Sequence, residues 1–208
     1  MSTIVSTERQ FALSLERDDD VVIITLDLPN EPVNKVSVAL AEDFEHALDE
    51  IERESSLRAA VLISGKPDTF IAGADVEQFL EYRTADDAEK ASRQGQALIG
   101  RLESLRTPVV AAIHGACLGA GLEVALACAW RVATDHPKTV LALPEVQLGL
   151  IPGAGGTQRL PRLIGLPEAL DMILRGRNVR PKKAVRTGLV DEVVHPAILR
   201  DIAVARAR

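Results

Sequence analysis

The sequence predicts a single-domain α/β fold, and three observations carry that expectation. Short apolar or β-branched runs at Val21 to Asp27, Ala59 to Ser64 and Val109 to Ile113 alternate with stretches of helical periodicity. Glycine- or proline-bearing turns close these runs, as in Leu28-Pro29-Asn30 and Gly65-Lys66-Pro67-Asp68. With 208 residues, 47% hydrophobic and 26% charged, the chain can bury one sizeable core, and it shows neither a repeat nor a low-complexity linker. Strands alternating with helices in this order imply right-handed crossovers.

Val21 to Asp27 reads as a strand ending in a turn. From Val38 a helix follows, with Leu40, Phe44, Leu48 and Ile51 on its apolar face and Glu42, Asp43, Glu45 and Glu50 on a face expected to be solvated. Ala59 to Ser64 is a buried strand, and Phe70 to Asp75 a short apolar segment broken by Gly73. Thr84 and Asp87 form a capping box that opens a helix running toward Leu105, and Thr107-Pro108 stops it. Val109 to Ile113 is a strand, the segment 114–121 a glycine turn, and Leu122 to Ala129 a helix. A pair of strands at Trp130 to Thr134 and Val140 to Leu143 precedes Pro144-Glu145 and a loop containing Gly149, Pro152, Gly153, Gly155 and Gly156. Two shorter helices, a strand at Leu189 to Val194 and a helix carrying Ile198, Leu199, Ile202 and Val204 complete the pattern. That last helix reaches Arg208 without a cap or polar tail, so residues 1–208 are expected to be one domain at the N-terminus of a longer, multidomain chain.

The composition excludes several classes of function. A formal charge of −6 and a pI near 5.3 offer no basic footprint for nucleic acid or anionic membranes. Aromatic residues are only 3%, too few for platforms that stack on bases. The longest apolar run is far too short to span a bilayer, so no membrane insertion is expected. Cys117 and Cys128 lack metal-ligand spacing, no metal site is expected, and both are read as core residues of a cytoplasmic protein.

Three segments are able to carry chemistry. Gly119-Ala120-Gly121 lies between a strand and a helix, yet lacks the third glycine of a dinucleotide fingerprint and the Lys-Ser or Lys-Thr of a P-loop. Small residues with free amides at a helix N-terminus suit a developing oxyanion, and they equally suit close helix packing. Glu123 sits in the first turn of that helix, where a carboxylate also serves simply to offset the dipole. Glu145 follows Pro144 among Leu141, Leu143, Val146 and Leu148, an apolar setting unusual for a surface acid. Two carboxylates sharing an apolar cavity cannot both ionise freely and so are able to divide base and acid roles. The third segment, Phe70 to Asp75, bends at Gly73. His114 has no Ser or Cys nucleophile motif beside it and reads as a hydrogen-bonded structural residue, while Arg159 and Arg162 read as solvated.

FIAGADVEQF, HGACLGAGLEVALAC and LPEVQLGLIPGAGGTQRLPRLIG, in that order and spacing, resemble the successive signatures of the crotonase superfamily, which includes the enoyl-CoA hydratases and isomerases. The similarity runs from about Val21 to Val194, and the VNK at Val33 to Lys35 is most like the N-terminal part of fatty acid oxidation complex alpha subunits. The resemblance implies a crotonase fold, with ββα units forming a mixed sheet flanked by helices, and C-terminal helices cut at Arg208. It assigns catalysis to Glu123 and Glu145 and an oxyanion hole to the backbone amides of Ala72 and Ala120. Ala72, Gly73, Ala74, Asp75, Gly119 and Gly153 then line the substrate, with Asp75 mainly ordering its loop. The implied reaction is addition of water to a 2-enoyl-CoA, with isomerisation of 3-enoyl-CoA as a side activity and no cofactor. NAD would belong only to a dehydrogenase domain absent from this chain, and a thiolase beta subunit and a homo-oligomer are the implied partners. A dedicated isomerase and a non-catalytic scaffold are the rival readings. The family usually has glycine where this chain has Ala120; alanine keeps the N–H but needs a backbone angle open to an L-residue.

Overall fold

A computed structural model describes residues 11–208. Strands β1 (Leu13–Asp18) and β2 (Val21–Leu26) form an antiparallel hairpin, turning through Asp19 in a left-handed conformation. The period-two pattern of β1 is confined to LSLERD, with Leu13 and Leu15 packed inward, too short a signal to mark a strand in the sequence alone. Helix α1 (Val38–Arg53) is capped by Ser37, whose hydroxyl accepts from Leu40 N at 3.2 Å. Leu40, Phe44, Leu48 and Ile51 are buried as expected. Asp43, expected on the solvated face, is instead buried, because its Oδ2 accepts the Ala12 N–H at 2.8 Å and ties α1 to the start of β1.

Three ββα units follow. They comprise β3 (Ala59–Ser64), β4 (Thr69–Ile71) and α2 (Ala85–Ser104); β5 (Val109–Ile113), β6 (Ala116–Leu118) and α3 (Ala120–Ala127); and β7 (Trp130–Thr134), β8 (Val140–Ala142) and α4 (Gly156–Ile164). Helices α5 (Leu166–Arg175) and α6 (Pro181–Thr187), strand β9 (Glu192–Val194) and helix α7 (Leu199–Ala207) complete the described chain. The first strand of each unit joins a six-stranded sheet, ordered β1-β2-β3-β5-β7-β9 and parallel from β2 onward. The second strand joins a separate, all-parallel sheet, ordered β4-β6-β8. The strands at 130–134 and 140–143 therefore do not pair with each other but lie in different sheets. β6, three residues between Gly115 and Gly119, lies inside what reads in sequence as one glycine turn. The expected two helices after the glycine loop are three, since Gly165 at φ +83° separates α4 from α5. The capping box of α2 forms as expected.

The large sheet is buried on both faces, which is why β2 reads as a continuous apolar run rather than an alternating one. Val22, Ile24 and Leu26 face the main core with Leu48, Phe70 and Leu122, whereas Val21 and Ile23 face a second cluster with Val110, Val132, Leu199, Ala203 and Val204. The apolar face of α7 thus covers the reverse of the sheet. Each such side chain contributes about 1.5–3 kcal/mol by burial. Helix α3 is buried from Gly121 to Ala127, so any charge it carries is drawn into the interior. Among the described residues no helix is long and apolar enough to cross a membrane.

Candidate active site

The small sheet explains why three distant motifs meet. β4, β6 and β8 are parallel neighbours, so their C-terminal ends lie along one edge. Ala72 to Asp75 follows β4, Gly119 to Glu123 follows β6, and Leu143 to Glu145 follows β8. The carboxyl ends of parallel strands are the usual place for a ligand in an α/β fold. A Cβ built on Gly119 would stand 3.1 Å from Glu145 Oε1 and 3.7 Å from Gly73 Cα, so all three segments touch at that point. Gly119 also takes φ +51°, an angle that favours glycine, and a side chain there would crowd the Glu145 carboxylate.

The donors differ in part from the sequence expectation. Ala72 N donates to the Asn34 carbonyl at 2.8 Å and is thereby consumed. Val36 N donates to Gly73 O and Asp75 N to Val36 O, each at 2.8 Å, the pattern of a parallel bridge between Val36 and Ala74. In that bridge the Ala74 amide faces away from Val36, and it donates to no acceptor among the described residues. The free donor of this segment is therefore Ala74 rather than Ala72. The shift by two residues depends on which amides the 34–36 segment occupies, and no pattern within FIAGAD reveals that. Ala120 opens α3, and its N–H likewise has no acceptor among the described residues. Only Asp19 and Asn30 are non-glycine residues with positive φ among the described residues, so Ala120 keeps an ordinary backbone angle while Gly119 takes the unusual one. Alanine is accommodated at this position for that reason.

The two carboxylates are held differently. Glu123 is 2% exposed, and its Oε1 accepts from Ala154 N at 2.8 Å and Gly156 N at 2.7 Å. Burial pushes its pKa up, while those two amides and the Arg159 charge oppose the rise. Glu145 starts a short 3-10 turn, Glu145–Leu148, and its buried Oε2 has no hydrogen-bond partner among the described residues. Burial is the largest cause pushing its pKa up to about 7; its own backbone amide opposes the rise, and the charge of Glu123 adds to it. Of the two acids, Glu123 is thus the better supported as an anion and Glu145 the better disposed to keep a proton near neutral pH.

The amides that anchor Glu123 were not legible in the glycine loop. A Cβ on Gly156 would come within 3.0 Å of Glu123 Cγ and Oε1, so Gly156 is small in order to let the carboxylate in. The Gly153 carbonyl accepts from Ser92 Oγ at 2.7 Å and Gln96 Nε2 at 2.8 Å, which pins this loop to α2. Arg159 is not simply solvated: it donates to the Ala154 carbonyl at 3.1 Å and pairs with Glu103 at 2.7 Å. Arg162 donates to the Gln158 carbonyl within its own helix. Asp75 accepts from Glu77 N at 3.3 Å and pairs with Lys35 at 3.3 Å, two contacts that order its loop. His114 is hydrogen-bonded through Nε2 to the Lys66 carbonyl. Cys117 and Cys128 are buried free thiols, and burial pushes the Cys128 thiol up to about 12. Among the described residues no group of three His, Cys, Asp or Glu side chains is placed to hold a metal.

Comparison with known proteins gives a consistent result. The model of the family described as enoyl-CoA hydratase/isomerase matches residues 16–208. A fatty acid oxidation complex subunit alpha from Shewanella amazonensis is 54% identical over 200 residues, covering 96% of this chain and 28% of that protein. The chain thus spans little more than a quarter of the length of such relatives. Among solved structures, an enoyl-CoA hydratase from Bacillus anthracis is 36% identical with a TM-score of 0.87, over 94% of this chain and 75% of that one. Another, from Geobacillus kaustophilus, is 31% identical with a TM-score of 0.89, over 97% and 75%.

Proposed function

The chain belongs to the enoyl-CoA hydratase/isomerase family, and from that premise we propose that it adds water reversibly across the double bond of a 2-enoyl-CoA in β-oxidation, giving a 3-hydroxyacyl-CoA. The thioester oxygen is received by the Ala74 and Ala120 amides, neither of which has an acceptor among the described residues. Glu123 accepts a proton from water as the water oxygen bonds to the β-carbon, and the π electrons move onto the thioester oxygen, where two amide donors stabilise the enolate. Collapse of the enolate draws a proton from Glu145 to the α-carbon, and solvent resets the two acids. Acyl-CoA is the substrate, and the chemistry calls for no redox cofactor, since water addition transfers no electrons to an acceptor. The single observation that carries this reading is the buried Oε2 of Glu145 beside the Gly119 turn, which has no partner among the described residues. A buried acid oxygen without a partner costs stability, and a substrate proton acceptor gives it a purpose.

The same two acids are able to move a 3-enoyl double bond to the 2-position, and this is retained as a side activity. The work is assigned to the cytoplasm, with a thiolase beta subunit as partner of the full-length protein and contacts between copies of this domain. Leu148, Ile151 and Leu174 are 63–75% exposed and support further protein contact on that side. In the full chain, Glu123→Gln and Glu145→Gln are each expected to lower crotonyl-CoA hydration by at least about 100-fold, as loss of a general acid or base does. Turnover at the wild-type rate in either variant would rule the reading out.

A further inference from the structure

We propose that Asn34 and Lys35 form a splint that sets the Ala74 donor, with Asn34 as a positioning residue for the reaction rather than a generic core contact. The proposal rests on the hydratase reading and adds residues that act through the backbone of the Ala72 to Asp75 segment. Asn34 is 1% exposed in a core that otherwise admits few polar groups. Its Oδ1 accepts from Leu28 N at 2.9 Å; its Nδ2 donates to Leu26 O at 3.0 Å and Phe70 O at 3.1 Å, and also lies 2.9 Å from Ser64 Oγ. One side chain therefore joins the ends of β2, β3 and β4. An amide has two N–H donors, so these three acceptors share them and the head group is held in one orientation.

The backbone on either side of that anchor does the setting. Asn34 O takes the Ala72 amide, Val36 takes Gly73 O and the Asp75 amide, and Lys35 Nζ pairs with Asp75 at 3.3 Å and Glu31 at 3.1 Å. Four tethers thus fall on the run Ala72 to Asp75, and the Ala74 amide is left facing the opposite edge. Oxyanion stabilisation depends on donors fixed before charge develops, and a misplacement of about 1 Å costs on the order of 100-fold in rate. A splint whose only role is structural would instead reduce the amount of folded protein and leave the folded fraction fully active.

The test uses the full chain and two variants, Asn34→Ala and Lys35→Gln. Three quantities are read: kcat and KM for crotonyl-CoA, the thermal midpoint, and the infrared C=O stretch of bound butyryl-CoA labelled with carbon-13 at its thioester carbonyl. Butyryl-CoA has no double bond to hydrate, so its carbonyl reports donor strength alone. In the wild type the stretch is expected below its solution frequency. In Asn34→Ala it is expected to move back toward that frequency, with kcat down by on the order of 100-fold and KM within about threefold. Lys35→Gln is expected to move the stretch and kcat in the same direction by a smaller amount, at an unaltered thermal midpoint. A folded Asn34→Ala with wild-type stretch and kcat overturns the proposal. If that variant does not fold, wild-type values in Lys35→Gln overturn it instead. A wild type that neither hydrates crotonyl-CoA nor lowers the stretch removes the hydratase reading and the splint together, an outcome distinct from loss of the splint alone.

Discussion

At the scale of single residues, the candidate site sets burial against ionisation, and Glu145 shows this most directly. Its folded pKa of about 7 stands above the ordinary carboxyl value because burial penalises the anion. Between pH 4.5 and 7 the folded chain therefore holds a proton that the unfolded chain has released. Unfolding then releases protons, so stability falls as pH rises through this window and levels off above it. Glu145→Gln removes the titration while keeping the shape. Urea unfolding of the full chain is expected to show equal stability for variant and wild type near pH 4.5. Above pH 7 the variant should gain roughly 1–3 kcal/mol, a figure already reduced for partial solvent access. A difference that does not change with pH would contradict a Glu145 carboxyl whose pKa is raised by burial. Burial also raises the pKa of Glu123, and the Ala154 and Gly156 amides that donate to it oppose that rise.

At the scale of elements, α3 must lie close against β4 for the two donors to converge. Gly121 permits this: a Cβ there would stand 2.4 Å from Ile71 O and 2.7 Å from Ile71 Cβ. Gly121→Ala is expected to push α3 away, lowering stability by about 1–3 kcal/mol and reducing crotonyl-CoA hydration more than binding. Denaturation and steady-state kinetics on the full chain check this, and an unchanged midpoint would show that the contact is not tight. The elements read from sequence divide along physical lines. Long periodic segments, α1 with its stripe of Leu40, Phe44, Leu48 and Ile51 and α2 with its Thr84 and Asp87 capping box, are legible because their signals lie within a few residues, whereas the Ser37 cap of α1 emerges only in the structure. β6 was not, because three residues between glycines become a strand only through parallel neighbours at residues 69–71 and 140–142. The burial of Asp43 was hidden for the same reason, its partner being the amide of Ala12. Within the site, Glu123 and Glu145 stood out as candidates by their setting, and only the ordered motifs joined them. The donor moved from Ala72 to Ala74 because a non-local segment, Asn34 to Val36, takes the first amide. The anchoring of Glu123 by the glycine loop is likewise a tertiary fact, invisible in the spacing of glycines alone.

At the scale of the whole molecule, the three ββα units act as one device. Each sends its first strand into the large sheet, which carries the core, and its second into the small sheet, whose end carries the candidate site. The large sheet, covered on one side by α1 and the buried α3 and on the other by α7, holds the small sheet's ends in fixed register. Donors and acids therefore come from segments far apart in sequence and are positioned without a bound ligand, as preorganised electrostatic catalysis requires. The most direct test of this account is a structure of the full chain with a bound, unreactive acyl-CoA thioester. The thioester oxygen is expected within about 2.7–3.1 Å of both the Ala74 and Ala120 nitrogens, with Glu123 and Glu145 on the side of the α- and β-carbons. A thioester oxygen bound away from these two amides, with the Ala74 N–H turned to a protein acceptor, would contradict it.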